Sequence, residues 1–514
     1  MIAAKSRRFD YSWIALAVTT AGAMLASVQG SALIIGLPDI LAGLESSFFT
    51  IIWVLLGYLL ITTALVPVVG RLADMFGRKN LYNAGFAIFT IGSLLAGFAQ
   101  QPFHGWDLVL YRVIQGVGGA LLFANSTPIV TDAFRRERLG LALGINQVAV
   151  AAGFVLGPVL GGILTAISWR WIFWVNVPFG IVGTLWGIRA LREPVKLPGG
   201  QRFDVWGSVT FAVGLAALLL GLSLLAFPLL PMVVIYAMFI VAVVGLGAFA
   251  YIETRVPQPM FDLELFRDRL FLFANLANLL NGLARGAVLF LLTFFLQGPY
   301  GQDPLMAGIM TAPFGVGFML VGPLSGHLSD HHGSRGLATV GLLISGVGLL
   351  GLATVVSTTP YWLIAIYMVL MGGGSGLFNS PNTNAIMQSV PPERRGIAAA
   401  TRTMLANTGQ MLSIAIIFPL VLSQLPEQVM IRVFLYGGGM NDVPQILASF
   451  EAGLRIAFLL SFIITLIAAG ASWLRPPHRR ADARTHGSAR MGAHASVEPQ
   501  TQAAPSRAQA DTDD

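Results

Sequence analysis

The sequence predicts an all-α integral membrane protein: fourteen transmembrane helices, built as two pseudo-repeated six-helix bundles plus an inserted helix pair. Three observations carry this. Only 11% of the 514 residues are charged and 55% are hydrophobic, whereas a soluble domain carries roughly 25% charge. A water-soluble globule with so few charges has nothing to cover its surface with. Glycine numbers 58 and falls inside the apolar runs, as it does where small residues let membrane helices approach. Finally, the apolar runs are long enough to cross a bilayer, which takes about 20 residues.

The first run, 13–38, lacks a small-residue cleavage site and is too long for a signal segment, so it is read as a retained helix. Runs at 49–70, 80–99, 107–130, 140–165 and 170–190 complete the first six. Runs at 205–226 and 232–252 form the inserted pair. The second six are 270–296, 305–326, 337–357, 361–386, 396–423 and 451–474. The expected domains are therefore 1–190, 191–256 and 257–474, with a tail at 475–514. The tail has no aromatic residue and is rich in Ala, Arg, Pro, Gln and Asp. That composition predicts a disordered extension, with Arg475, Arg479 and Arg480 against anionic headgroups.

Basic residues set the orientation. Twenty-five of the 31 Lys and Arg lie in segments sharing a side with the amino terminus, and the connections on the other side hold two, Arg170 and Arg432. The excess marks the cytoplasmic side, so both termini are expected in the cytoplasm of a plasma- or inner-membrane protein. The same placement explains the net charge of +7 by topology and anionic lipid, with no nucleic acid required. The absence of cysteine excludes disulfides and thiolate chemistry. All seven histidines fall in expected loops or the tail, so no metal or cofactor is expected.

An internal repeat follows. Gly70, Leu72, Asp74 and Gly77 match Gly326, Leu328, Asp330 and Gly333 at an offset of 256. The same offset carries Glu137, Arg138 and Gly140 onto Glu393, Arg394 and Gly396. Two parallel bundles related along the membrane normal are the plan of a transporter with a central substrate site. A duplicated receptor or structural membrane protein is the alternative.

Several residues can carry chemistry in that plan. Gly70 and Gly77 permit a tight turn, and Asp74 between Arg71 and Arg78 can form an ionic latch, with Asp132 within reach of Arg78. The second copy keeps Asp330 but has Ser334 in place of Arg78, so its latch is expected to be weaker. Otherwise these are interfacial charges that fix topology. Gly153, Gly157 and Gly161 share one helix face, and Pro158 can kink that helix; they serve a moving interface or packing alone. Arg112, Arg285 and Arg402 fall inside expected spans, where an ionisable group is by default a functional candidate. Gln115 lies on the same face as Arg112. Arg285 and Arg402 either line a central cavity or pair with polar groups and lipid phosphate. Asn125, Asn278, Asn379 and Gln410 add polar faces, as cavity lining or as interhelical glue.

Four segments in order resemble the major facilitator superfamily, fourteen-span drug:proton antiporter branch, over about residues 1–475. Gly70–Lys79 resembles the signature loop between helices 2 and 3. Arg112 to Gly119 resembles the helix-4 motif. Gly153 to Gly162 resembles the antiporter motif of helix 5, and Trp169 to Pro178 the start of helix 6. The resemblance implies secondary transport, a conformational latch at Asp74, and proton coupling linked to Arg112. Many members of the branch carry an aspartate in helix 1, where this chain has Gln29, placed here among the cavity candidates. No Asp or Glu lies deep in any expected span. Coupling therefore falls to Asp107 or a loop carboxylate, or the chain is not a standard proton antiporter.

The expected function is secondary active export of small lipophilic or amphiphilic compounds, with protons and the bilayer as further partners and a monomer as the working unit. A cavity with arginines and no acid favours neutral or anionic amphiphiles over quaternary ammonium compounds. The alternatives are a facilitator or antiporter of organic anions, or a non-transporting receptor. An enzyme is not expected: no nucleophile–base pair lies in the spans, and no GxxxxGK[ST] segment exists for ATP.

Overall fold

The computed structural model describes residues 11–134, 136–192, 204–227, 229–256, 259, 261–391, 394–422 and 444–476. All regular structure among them is helical. Thirteen helices are long and apolar enough to span a membrane, and the 20-residue helix Arg78–Gly97 completes the fourteen. In order they are α1 Tyr11–Gly43, α2 Phe48–Phe76, α3 Arg78–Gly97, α4 Trp106–Ala133, α5 Arg136–Ile167 and α6 Trp171–Ala190. The inserted pair is α7 Val205–Ala226 and α8 Met232–Glu253. Then follow α9 Arg269–Gln297, α10 Pro304–His332, α11 Ser334–Leu352, α12 Tyr361–Gln388, α13 Arg395–Leu422 and α14 Pro444–Leu474.

The helix ends correct three expectations. α1 continues through Pro38 to Gly43, because a proline perturbs a ladder without ending a helix that neighbours support. Asp39 therefore belongs to a span. α2 continues to Phe76, so Gly70 is helical and the turn falls to Gly77 alone, with φ +92°. Gly333 repeats this in the second half with φ +81°. Both are left-handed positions that favour glycine. His327, His331 and His332, expected in a loop, belong to the last turns of α10.

The first six helices pack as α1 on α5 and α4, α2 on α4, and α3 on α4 and α6. The last six repeat the pattern, α9 on α13 and α10 and α11 each on α12. The two groups meet along α5–α10 and α2–α13. A Cβ on Gly162 of α5 would stand 2.5 Å from the Pro304 carbonyl oxygen of α10, and one on Gly308 would collide with that of Pro158. The groups touch backbone to backbone there, as small residues allow.

The inserted α7 packs on α8 and also touches both α2 and α13, so it lies across the seam between the groups. Rings then run from the insert into the second group: Phe211–Phe249 at 5.1 Å, Phe249–Phe261 at 6.0 Å, Phe261–Phe266 at 5.0 Å and Phe266–Phe271 at 5.0 Å. Beside them Arg394 holds Asp262 and Glu264, each at 3.1 Å. These carboxylates raise the pKa of the guanidinium above its usual value, the Glu264 hydrogen bond first.

Arg475, expected against headgroups, is fully buried. It donates to Asn382 Oδ1 at 3.0 Å and to the Ser334 and Arg335 carbonyls at 2.5 and 3.3 Å. Burial, then the Arg335 guanidinium, push its pKa down to about 10. Hydropathy does not reveal it, because its acceptors come from α11 and α12. The remainder of the tail, 477–514, lies outside the described residues.

Candidate functional site

The two helix groups close on each other at the face opposite Arg78 and Asp132. Phe48 begins α2; Phe290 and Phe294 lie near the end of α9 and Phe418 near the end of α13. All four rings are buried. Centroid distances are 6.1 Å for Phe48–Phe294, 6.3 Å for Phe48–Phe418 and 4.0 Å for Phe290–Phe418. Each such pair adds about 0.5–1.5 kcal/mol beyond area burial. Beside them Gln297 Nε2 donates to the Ile35 carbonyl at 2.8 Å, joining α9 to α1. This plug was not legible in the sequence, since scattered phenylalanines in apolar runs carry no pairing signal.

At the other face Arg78 Nη1 lies 2.6 Å from Asp132 Oδ2. Of Gly70, Arg71, Asp74 and Asp330, only the helical backbone is described; their side chains lie outside the described residues.

The antiporter-motif glycines face α1. A Cβ on Gly153 would lie 2.9 Å from the Met24 carbonyl oxygen, and Cβ atoms on Gly157 and Gly161 would collide with Ser31 and Ala32. The pattern recurs in the second group at the 256-residue offset. Gly409 meets Leu279 and Leu283 of α9. Ser413, matching Gly157, meets Ala287, which matches Ser31. In the first group the hydroxyl is on α1 and the glycine on α5; in the second the hydroxyl is on α13.

That exchange coincides with a break in α9. Its two segments are Arg269–Arg285 and Val288–Gln297. The Ala287 N–H, released from the ladder, donates to Ser413 Oγ at 2.9 Å. A Cβ on Gly286 would lie 2.6 Å from the Gln410 carbonyl oxygen, so only glycine fits at the break. Arg285 thus ends the first segment, where a cation is favoured by the helix dipole by roughly 0.3–1 kcal/mol or more. It is half-buried, and its Cζ stands 5.9 Å from the ring centroids of both Phe314 and Phe318 of α10.

The other span arginines are engaged. Arg112, 1% exposed, donates from Nη1 to Gln115 Oε1 and from Nε to the Val54 carbonyl at 3.2 Å. Gln115 Nε2 continues to Ser93 Oγ at 2.6 Å, and Arg112 Cζ lies 4.2 Å from the Tyr58 ring centroid. α2, α3 and α4 thus converge on one buried charge. Arg402 Nη1 donates to Asn379 Oδ1 at 3.3 Å, and its carbonyl accepts from Asn278 Nδ2 at 2.8 Å. Among the described residues no carboxylate pairs with Arg112, Arg285 or Arg402.

Two cavity candidates are fully buried between helices. Gln29 is 1% exposed and accepts from Asn176 Nδ2 of α6 at 2.5 Å. Asn125 is fully buried and donates to Leu121 O of its own helix at 2.8 Å. The partner of Gln29 lies on another helix, whose position hydropathy does not encode. Gln410 remains half-buried. Asp107 takes backbone N–H groups of Gln100 at 2.7 Å and Leu108 at 2.8 Å, so both its oxygens are used at the start of α4. Asp39, hidden by the apparent end at Pro38, is a half-buried carboxylate inside α1.

The Major Facilitator Superfamily model matches residues 19–205 and 274–507, well over half of the chain, and omits the inserted pair. The chain belongs to the major facilitator superfamily. Relatives in this superfamily include the riboflavin transporter RibZ of Clostridioides difficile, 32% identical over 77% of this chain and 85% of that protein. Multidrug resistance protein 3 of Bacillus subtilis is 30% identical over 77% of each. Among solved structures, a bacterial homolog of the human lysosomal transporter Spinster, in an inward-facing and unoccupied conformation, superposes with TM-score 0.67. It is 17% identical and aligns over 91% of this chain and 97% of that one. A D-xylose–proton symporter gives TM-score 0.60 at 14% identity over 91% and 98%. These two show the fold. The chain is thus a multi-pass membrane transporter of the fourteen-span plan.

Proposed function

We propose that the chain is a secondary active exporter of small amphiphilic molecules, driven by proton entry across the plasma membrane and acting as a monomer. The face carrying Arg78 and Asp132 is the cytoplasmic one in this reading, with both termini on that side. One observation carries it: the Phe48, Phe290, Phe294 and Phe418 plug closes the opposite face, while a half-buried arginine lies deeper, beside a broken helix. A closed outer gate above a polar interior is what alternating access requires. The multidrug resistance relative supports export, and the helix-5 glycines give the gate a close-packed seam. Arg112 cannot itself release a proton at working pH. Its part in coupling is to set the field felt by a carboxylate, with Asp107 and Asp39 the available groups on the outer side.

The test is uptake of neutral, anionic and cationic lipophilic dyes into inverted membrane vesicles with an acid interior. The reading predicts accumulation of at least one class that collapses with the gradient, and loss of coupling in Arg112→Ala. Asp107→Asn and Asp39→Asn divide the proton role between the two acids. Accumulation indifferent to the gradient contradicts proton-driven export.

A further inference from the structure

Arg285 is a half-buried span arginine with no hydrogen-bond or ion-pair partner among the described residues. Arg112, Arg402 and Arg475 each hold side-chain or backbone acceptors. Among the described residues Arg285 makes neither a hydrogen bond nor an ion pair, and the ring centroids of Phe314 and Phe318 each stand 5.9 Å from its Cζ. A guanidinium presents five N–H donors in a planar fork, and donors left unmade away from bulk water are costly. The fold nevertheless fixes this residue in place. Ser413 holds the Ala287 N–H, and Gly286 seats against the Gln410 backbone. The side-chain amide of Gln410 likewise has no hydrogen-bond partner among the described residues. At the matching position of the first half stands Gln29, neutral and bonded to Asn176. The first-half counterpart of Arg285 is thus uncharged.

We propose that Arg285, with Phe314 and Phe318, forms an anion subsite of the transport compartment, and that the exported molecules are flat aromatic organic anions. This rests on the export reading above and names its substrate class. A carboxylate or enolate accepts two N–H bonds from the fork, and its ring system lies beside the partly exposed Phe318 ring, while Phe314 is buried. Permanent cations meet the wrong charge.

The experiment measures equilibrium binding to the full chain in nanodiscs, with benzoate, 1-naphthoate and 9-anthroate, each against its uncharged carboxamide. The acids are expected to bind about tenfold more tightly than the amides, as one charge-assisted contact implies, with affinity rising from one ring to three. Arg285→Gln is expected to erase the difference by weakening the acids about tenfold while leaving the amides within about twofold. Arg285→Lys keeps part of the preference, which separates lost charge from a misfolded variant. Acids and amides binding alike to the wild type, or Arg285→Gln retaining the preference, overturns the proposal. So does a preference seen in zwitterionic nanodiscs and abolished by phosphatidylglycerol, which assigns the guanidinium to lipid phosphate. No gradient is needed, so the two readings fail separately. A chain that binds the acids and moves nothing refutes export; one that pumps acid and amide alike refutes the subsite.

Discussion

Arg78 and Asp132 meet at 2.6 Å, and each stands at the wrong end of its helix. Arg78 is the first residue of α3, and Asp132 lies in the last turn of α4. A cation at a helix amino end and an anion at a carboxyl end are both disfavoured; side by side, each offsets the other. A partly exposed ion pair contributes only about 0–1 kcal/mol to stability. Reversing one charge, Arg78→Asp or Asp132→Arg, should therefore change the unfolding free energy by about 1 kcal/mol or less, yet reduce flux strongly. The double reversal should restore flux. A double variant as inactive as the singles would show that the pair does not act as a unit.

Close packing between α5 and α10 gives a second prediction. Gly162→Leu pushes a side chain into the Pro304 backbone, and overpacking of this kind costs about 1–3 kcal/mol. Thermal unfolding in detergent should show the loss, together with reduced transport. Gly322→Ala on the same α10, where an added Cβ meets nothing within 4 Å, should leave both within error. Equal effects at the two glycines would contradict the seam.

Ser413→Ala removes the acceptor of the Ala287 N–H. An unpaired buried amide costs about 1–3 kcal/mol, so stability should fall by that order. Hydrogen exchange at Ala287 should quicken while that of α12 stays unchanged. Unaltered exchange would mean that the break in α9 is held by something other than Ser413.

Arg475 tests burial against the headgroup expectation. Arg475→Met leaves the Asn382 oxygen and two carbonyls short of a donor, and should lower the unfolding free energy by about 1–3 kcal/mol irrespective of lipid charge. Destabilisation that appears only in anionic lipid would restore the headgroup role.

The spans, their number and the repeat were legible because hydropathy and sequence offset report them directly. The glycine pattern of α5 was legible because one helix face is a local property. The contacts of Gln29 and Arg475 depend on neighbours far along the chain. Gln29 accepts from Asn176 of α6, and Arg475 donates to Asn382 of α12; neither partner can be inferred from spacing. Pro38 reads as a terminus because proline removes a backbone donor, but packing against α5 carries the helix past it and brings Asp39 inside. The break at Gly286 also escaped notice, since glycine is common in membrane helices. Its meaning depends on Ser413 being opposite.

The most direct test uses spin labels, which the cysteine-free sequence accepts cleanly. One pair, Glu45→Cys with Gln302→Cys, spans the face closed by Phe48 and Phe294. The other, Asn80→Cys with Gly336→Cys, spans the face of Arg78 and Asp132. Pulsed dipolar distances in nanodiscs, with and without a proton gradient, should show two populations that change in opposition, one pair lengthening as the other shortens. Distances that stay fixed at both faces, or lengthen at both together, would contradict a transporter that opens one side at a time.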